Sequence, residues 1–284
     1  MKRLLGCAIA LLLLTGCAAP AAHTPPEYDS VVIAMLDTGI STTAIDSSHL
    51  LPGYNYVTSS TDTEDRINHG TATASIIVGC ESANVTGLAP DVLLIPLVVT
   101  DKVDGKVTGI SPQMLAQAIR DAVDVYGADI INVSLGIKKD ASELKEAVTY
   151  AENKGVLVVS AVGNEGENGD CYYPAAYDTV LGVGSHDKHN AVSDFSQQNG
   201  TADLLAPGES IWMASRSGAT YGAKGTSYAA AYVSAAAALL LKEYPALIPQ
   251  QLRQTLYDAT TDIGAPGWDS ASGWGTLNTA ALTG

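Results

Sequence analysis

Six short apolar runs alternate along this chain with five segments of helical pattern, and that alternation excludes most folds. The runs lie near residues 31–36, 92–98, 129–134, 156–162, 179–183 and 203–205. They read as strands buried on both faces, as in a parallel sheet. The helical segments lie near 69–79, 111–126, 141–153, 226–243 and 249–259. Ser111-Pro112 and Ile248-Pro249 mark two helix starts, where proline loses no needed N–H. Alternation of this kind predicts a three-layer α/β domain: a mostly parallel sheet with helices on both faces. No internal repeat or low-complexity run interrupts residues 31–284, and the length of 284 residues suits one large domain.

Three short settings carry chemistry. The run Val31 to Leu36 ends in Asp37-Thr38-Gly39, so an acid stands at the carboxyl end of a buried strand, where open α/β sheets place their sites. Asn68-His69-Gly70-Thr71 opens a small, apolar helix. Asn68 is expected to be its N-cap and His69 to sit in the first turn, where the helix dipole helps keep the imidazole neutral. Gly225-Thr226-Ser227-Tyr228-Ala229 places Ser227 at the mouth of a long Ala-rich helix, near free backbone N–H groups that favour an oxyanion. Taken singly, an Asp in a turn, a His at a helix start and a Ser N-cap are ordinary. Together, and in this order, they are the parts of a nucleophilic acyl-transfer site: a Ser, a base to deprotonate it and a carboxylate to orient the base.

Two further strand exits fit the same chemistry. Gly155 to Val162 leads into Gly163-Asn164-Glu165-Gly166, putting an amide NH2 donor at a strand end. Ile130-Ile131-Asn132-Val133 leads into Ser134-Leu135-Gly136, a bare edge on which an extended peptide can add as a strand.

With these motifs in family order, joined by Ala206-Pro207-Gly208 and the closing Gly273 to Asn278, the chain resembles the subtilisin-like serine proteases, the subtilases, from about Val31 to Ala281. The resemblance implies the subtilisin-like α/β fold and a serine endopeptidase. It implies Ser227 as nucleophile, His69 as general base and then acid, and Asp37 as the group that orients His69. Asn164 and the Ser227 N–H form the implied oxyanion hole. Ser134, Leu135, Gly136 and Gly163 line the implied substrate site, and Ser134-Leu135-Gly136 is one wall of the pocket for the residue before the scissile bond. No organic cofactor is implied and no catalytic metal. Structural calcium is common in the family, but Glu81 to Gly87, at the usual loop position, looks shortened. The segment Asp101 to Gly109 reads as a hairpin or loop that in the family flanks the substrate channel. The chain departs from the family where Ala72 and Ser75 replace a His and a Gly. It departs again at Tyr228-Ala229-Ala230-Ala231-Tyr232, which replaces Met-Ala-Ser-Pro-His. None of these removes a catalytic group, and Tyr228 removes an oxidisable Met beside the nucleophile.

The first residues read as targeting. Met1-Lys2-Arg3 is a basic start, and Leu4 to Leu14 is apolar but too short to span a bilayer. Leu14-Thr15-Gly16-Cys17 resembles a bacterial lipoprotein signal, so residues 1–16 are expected to be cleaved and Cys17 lipidated. Residues 17–30, with Pro20, Pro25 and Pro26, are then a tether, and 31–284 the catalytic domain. The short interval before the first strand leads to the expectation of folding without a covalent pro-domain. The formal net charge of −15 excludes nucleic acid as an obvious partner. A peptide or protein substrate, a membrane reached through the lipid, an extracytoplasmic location and a monomeric state are expected.

Of the other cysteines, Cys7 leaves with the signal. Cys80 and Cys171 meet oxidising conditions, but about 16 Å of helix separates Cys80 from the active-site end, which argues against pairing. His186 and His189 lie in a polar stretch and read as a solvated loop. Glu165, Glu167 and Asp170 make the loop after Asn164 acidic, which suggests basic residues near the cleavage site. Two alternatives to a general endopeptidase stay open: a narrow processing peptidase for one secreted peptide, and a catalytically silent, lipid-anchored peptide-binding protein.

Overall fold

The computed structural model describes residues 24–282. The targeting segment and Cys17 lie outside the described residues. Nine strands form one sheet, running from one edge to the other as Thr260–Thr261, Thr276–Leu277, Leu204–Pro207, Val180–His186, Leu157–Ala161, Ile130–Val133, Val32–Asp37, Leu93–Val98 and Tyr54–Asn55. Every pairing is parallel except that of Thr260–Thr261 with Thr276–Leu277. The five predicted helices are present: α1 (Gly70–Val78), α2 (Pro112–Asp124), α3 (Ser142–Asn153), α4 (Thr226–Glu243) and α5 (Pro249–Asp258). The segment at 101–109 is indeed a hairpin, with Thr100–Val103 paired to Lys106–Gly109.

Strand alternation sorts the core into two layers. Val32, Ala34 and Leu36 pack with α2 and α3 on one face. Ile33 and Met35 pack with α1, α4 and α5 on the other. The next residue on that second face is Asp37, so the pleat itself aims the carboxylate at the layer holding α1 and α4. Helix α4 is buried almost all round, and its alanines let it lie close on the sheet. At α2, Ser111 caps as the sequence predicts, its hydroxyl accepting from the Met114 N–H at 3.1 Å. At α5 the Gln251 side chain accepts from the Ile248 N–H instead.

The Val32–Asp37 strand is where the strand order reverses. After it the chain crosses through α1 to Leu93–Val98 on one side, then through α2 to Ile130–Val133 on the other. Such a switch point opens a crevice at the carboxyl ends of the strands. Three neighbouring strands end there in Asp37, Ser134 and the Gly163-Asn164 turn. The amino ends are held by a different device: Arg253 of α5 pairs with Glu152 of α3 at 2.7 and 2.8 Å, and donates to the Thr179 carbonyl, joining helices from opposite layers.

Candidate active site

Asp37 is completely buried, and its carboxylate accepts three hydrogen bonds. The Thr38 N–H and His69 Nδ1 each lie 2.7 Å from Oδ1, and the Thr73 hydroxyl donates to Oδ2 at 3.1 Å. The bond to Nδ1 places the proton there and leaves Nε2 as the basic nitrogen. His69 keeps 24% of its side chain exposed, on the cleft. Burial alone would lower its pKa. The Asp37 charge and hydrogen bond, with the Asp65 charge behind them, outweigh that and hold it above the ordinary value. The helix N-terminus was expected to help keep the imidazole neutral, and the two carboxylates of this corner act in the opposite sense.

The local fold around His69 also differs from the expected cap. His69, not Asn68, holds the N-cap position of α1, in a helical conformation and without a side-chain cap. Asn68 adopts φ +90° and its side-chain oxygen accepts from the Arg216 N–H at 2.6 Å. The anchor is Asp65, which the sequence reading missed. This fully buried carboxylate accepts from the Ile67, Asn68 and Thr71 N–H groups and from the Thr38 and Thr71 hydroxyls, all at 2.7 to 2.9 Å. Thr38 in turn accepts from the Gly70 N–H at 2.9 Å. The strand end that carries Asp37 and the turn that carries His69 are thus one hydrogen-bonded unit. Tyr228 closes its back, with its ring 5.9 Å from the imidazole.

Ser227 is the second residue of α4, behind the N-cap Gly225. Its hydroxyl donates to the Ser134 carbonyl at 2.8 Å, and the Ser134 hydroxyl donates back to the Ser227 carbonyl at 3.0 Å. A buried ladder continues from there: Asn132 donates to the Ser134 hydroxyl and accepts from Ser234, each at 2.9 Å. Asn132, a lone amide inside an apolar strand, was visible in the sequence, but its tie to α4 was not. Ser227 and His69 line one cleft, where the Ser227 hydroxyl is engaged by the Ser134 carbonyl rather than by the imidazole.

Asn164 is oriented by Thr226, whose N–H and hydroxyl donate to Oδ1 at 2.9 and 3.0 Å. That fixes the amide so that its NH2 remains for the cleft. Gly163 is held at φ +112°, and a Cβ there would stand 1.8 Å from the Gln197 side chain, so the turn that delivers Asn164 requires glycine. Ser134, Leu135, Gly136, Ala161, Glu165, Tyr172 and Thr226 complete the lining.

A family model described as the subtilase family matches residues 29–275. The chain belongs to the subtilases. Subtilisin Savinase from Lederbergia lenta is 35% identical over 268 residues, covering 93% of this chain and 95% of that one. Among solved structures, the prenylagaramide maturation protease PagA is 30% identical with a TM-score of 0.74, covering 89% of this chain and 92% of its own. A lanthipeptide protease is 26% identical with a TM-score of 0.77, covering 89% and 86%. This subtilase is therefore a serine protease with the subtilisin-like α/β fold that its sequence predicts.

Cys80 is buried and Cys171 half-buried, and both are free thiols. Within Glu81 to Gly87, residues 81–84 form the turn that joins the paired Gly79–Cys80 and Val85–Thr86 strands. It offers one carboxylate, a poor fit to an ion that takes about six to eight oxygens. His186 Nδ1 lies 2.7 Å from the Asp187 carbonyl, and His189 is exposed. The acidic loop is partly neutralised: Lys138 pairs with Glu165 at 2.7 Å and Asp170 at 3.2 Å, while Glu167 is exposed. No described helix is long and apolar enough to cross a membrane.

Proposed function

We propose that this subtilase hydrolyses peptide bonds through an acyl-enzyme on Ser227, outside the cytoplasm and tethered to a bacterial membrane through lipidated Cys17. The observation that carries the catalytic part is the 2.7 Å bond between Asp37 and His69 Nδ1 beside Ser227 in one cleft. Ser227 Oγ bonds to the substrate carbonyl carbon as its proton passes to His69 Nε2. Asp37, already supplied with three donors, stabilises the imidazolium without taking the proton. The oxyanion receives the Asn164 NH2 and the Ser227 N–H at the start of α4. His69 then gives its proton to the leaving amine as the C–N bond breaks, and water releases the acyl group by the same steps in reverse order. No cofactor enters any of them.

The tether rests on the sequence before residue 24: a short apolar segment ending in Leu-Thr-Gly-Cys. A single lipid chain holds a protein only weakly at a bilayer, so the multiply acylated form is the one that anchors. Two solved neighbours, a maturation protease and a lanthipeptide protease, support the narrow-processing reading as the alternative, while the relatives of higher sequence identity are subtilisins and alkaline proteases.

Purified protein treated with a fluorophosphonate probe tests the reading. Labelling of wild type that vanishes in Ser227→Ala supports it. A well-folded wild type that takes no label removes it in favour of a silent binding protein. Mass spectrometry of the mature N-terminus, beside Cys17→Ser, tests the lipid: an unmodified Cys17 in the membrane fraction sinks the tether.

A further inference from the structure

The cleft has two walls, and one side chain bridges them. The first wall is Ser134-Leu135-Gly136, which continues into Ile137. Ile137 pairs with Tyr173 through two backbone hydrogen bonds of 2.8 and 2.9 Å, so the segment around Tyr172 extends this wall. Tyr172 packs directly on it: a Cβ added to Gly136 would stand 3.0 Å from Tyr172 Cδ1 and 3.1 Å from its Cβ. The second wall is Gly163-Asn164-Glu165. The Tyr172 hydroxyl donates to Glu165 Oε1 at 3.2 Å, so the tyrosine starts on one wall and ends on the other.

Lys138 fixes that span. Its ammonium is 2.7 Å from Glu165 and 3.2 Å from Asp170, and stands 5.6 Å from the centre of the Tyr172 ring. A carboxylate, a cation and an aromatic face thus hold one another, each limiting the others' rotamers. Two consequences follow for a substrate side chain entering between the walls. It meets the tyrosine ring before it can extend far. It also finds Glu165 already neutralised, so a cationic side chain gains little there and would have to displace Lys138.

We propose that Tyr172, braced across the cleft by Glu165 and Lys138, restricts the residue before the scissile bond to small uncharged side chains such as Gly, Ala and Ser. The inference rests on the peptidase reading above and replaces the expectation of basic residues near the cleavage site. Tyr172 is here a specificity-determining residue that touches substrate, and Lys138 positions it.

The test is a peptide series identical except for Gly, Ala, Ser, Leu, Phe or Lys before the scissile bond, read as kcat/KM for the whole protein. Fluorophosphonate titration of each preparation counts active Ser227 independently. Absence of labelling would defeat the peptidase reading itself, whereas a labelled enzyme with another preference defeats only this inference. The expected wild-type result is Ala over Phe and over Lys by at least about tenfold, the scale on which a pocket rejects side chains that overfill it. Tyr172→Gly should raise the Phe-to-Ala ratio by at least about tenfold, while Tyr172→Phe, which keeps the ring, should leave small residues preferred. A wild type that favours Leu, Phe or Lys overturns the inference, whatever the variants do. So does a smaller change in the ratio for Tyr172→Gly.

Discussion

The His69 corner and the Tyr172 wall face each other across one cleft but are built by opposite rules. At the His69 corner every polar atom of two buried carboxylates is used. Asp37 has three donors and Asp65 five, and the donors are mostly backbone N–H groups or short threonines. At the Tyr172 wall the groups are long and half-exposed, and they are held by ion pairs at the surface. Buried, fully satisfied networks are costly to alter, and surface pairs are cheap. On the proposed reading, the chemistry is therefore held rigid while the choice of substrate sits on parts that can change with little loss of stability.

The largest effect that would test this contrast is chemical. Ser227→Ala should lower kcat by about a million-fold, which is the loss seen in subtilisin itself rather than a value obtained from this geometry. The thermal midpoint should stay near that of wild type, because only a hydroxyl bonded to the Ser134 carbonyl is removed. A variant that kept even a thousandth of the activity would mean that the nucleophile lies elsewhere.

Next in size is Asp65→Ala. It strips acceptors from three backbone N–H groups and two hydroxyls in a site without exposure. Leaving buried donors unpaired costs about 1–3 kcal/mol each where no water replaces the acceptor, so a total of about 3–5 kcal/mol is expected in urea unfolding. A loss below about 1 kcal/mol would show that the corner is not the rigid unit described.

Which of these features was legible in the sequence follows from the same contrast. The six central strands and the five helices were readable from their apolar periods, with Asp37 and Asn164 at strand exits and His69 and Ser227 at helix starts, whereas the short edge strands Tyr54–Asn55, Thr260–Thr261 and Thr276–Leu277 carry too few residues to show a pattern. Asp65 was not readable: its partners are backbone N–H groups, and no residue type announces that a turn will fold around one carboxylate. Asn68 looked like an N-cap on composition, but the Asp65 turn drives it to positive φ and hands the cap position to His69. The Tyr172 wall was hidden for a different reason. Glu165 and Tyr172 are seven residues apart, but Lys138 is distant in sequence from both, so the acidity of the 165–170 loop gave no sign of the cation that pairs with it.

A smaller effect concerns pH. In the proposed mechanism His69 must be neutral to accept the Ser227 proton, so kcat/KM should fall as pH drops through its pKa. Because Asp37 and Asp65 together raise that pKa, the acid limb should lie above the ordinary histidine value of about 6.5. Asp65→Asn keeps most of the shape and removes one negative charge, so the limb should move toward lower pH. For stability the sign is the reverse of that for activity. A raised folded pKa favours the native state below the unfolded pKa, and that contribution is lost as pH rises through the folded value. A limb that stayed in place in Asp65→Asn would mean that its charge does not reach the imidazole.

The smallest expected effect belongs to the other wall. Lys138→Ala removes a cation whose side chain is about half exposed and whose partners are themselves exposed. Such pairs are screened by solvent and salt, so the thermal midpoint should move by no more than about 2 °C. Turnover of an Ala peptide should change little, since the ring of Tyr172 still packs on Gly136. What should change is the response to charge. With Lys138 gone, Glu165 is free to meet a cationic side chain, and the Lys-to-Ala ratio of kcat/KM should rise, more at low salt than at high. A fall of many degrees in the midpoint would place Lys138 among the structural parts of the protein and erase the distinction between the two walls. An unchanged Lys-to-Ala ratio in a stable variant would leave the distinction standing but show that the tyrosine alone enforces it.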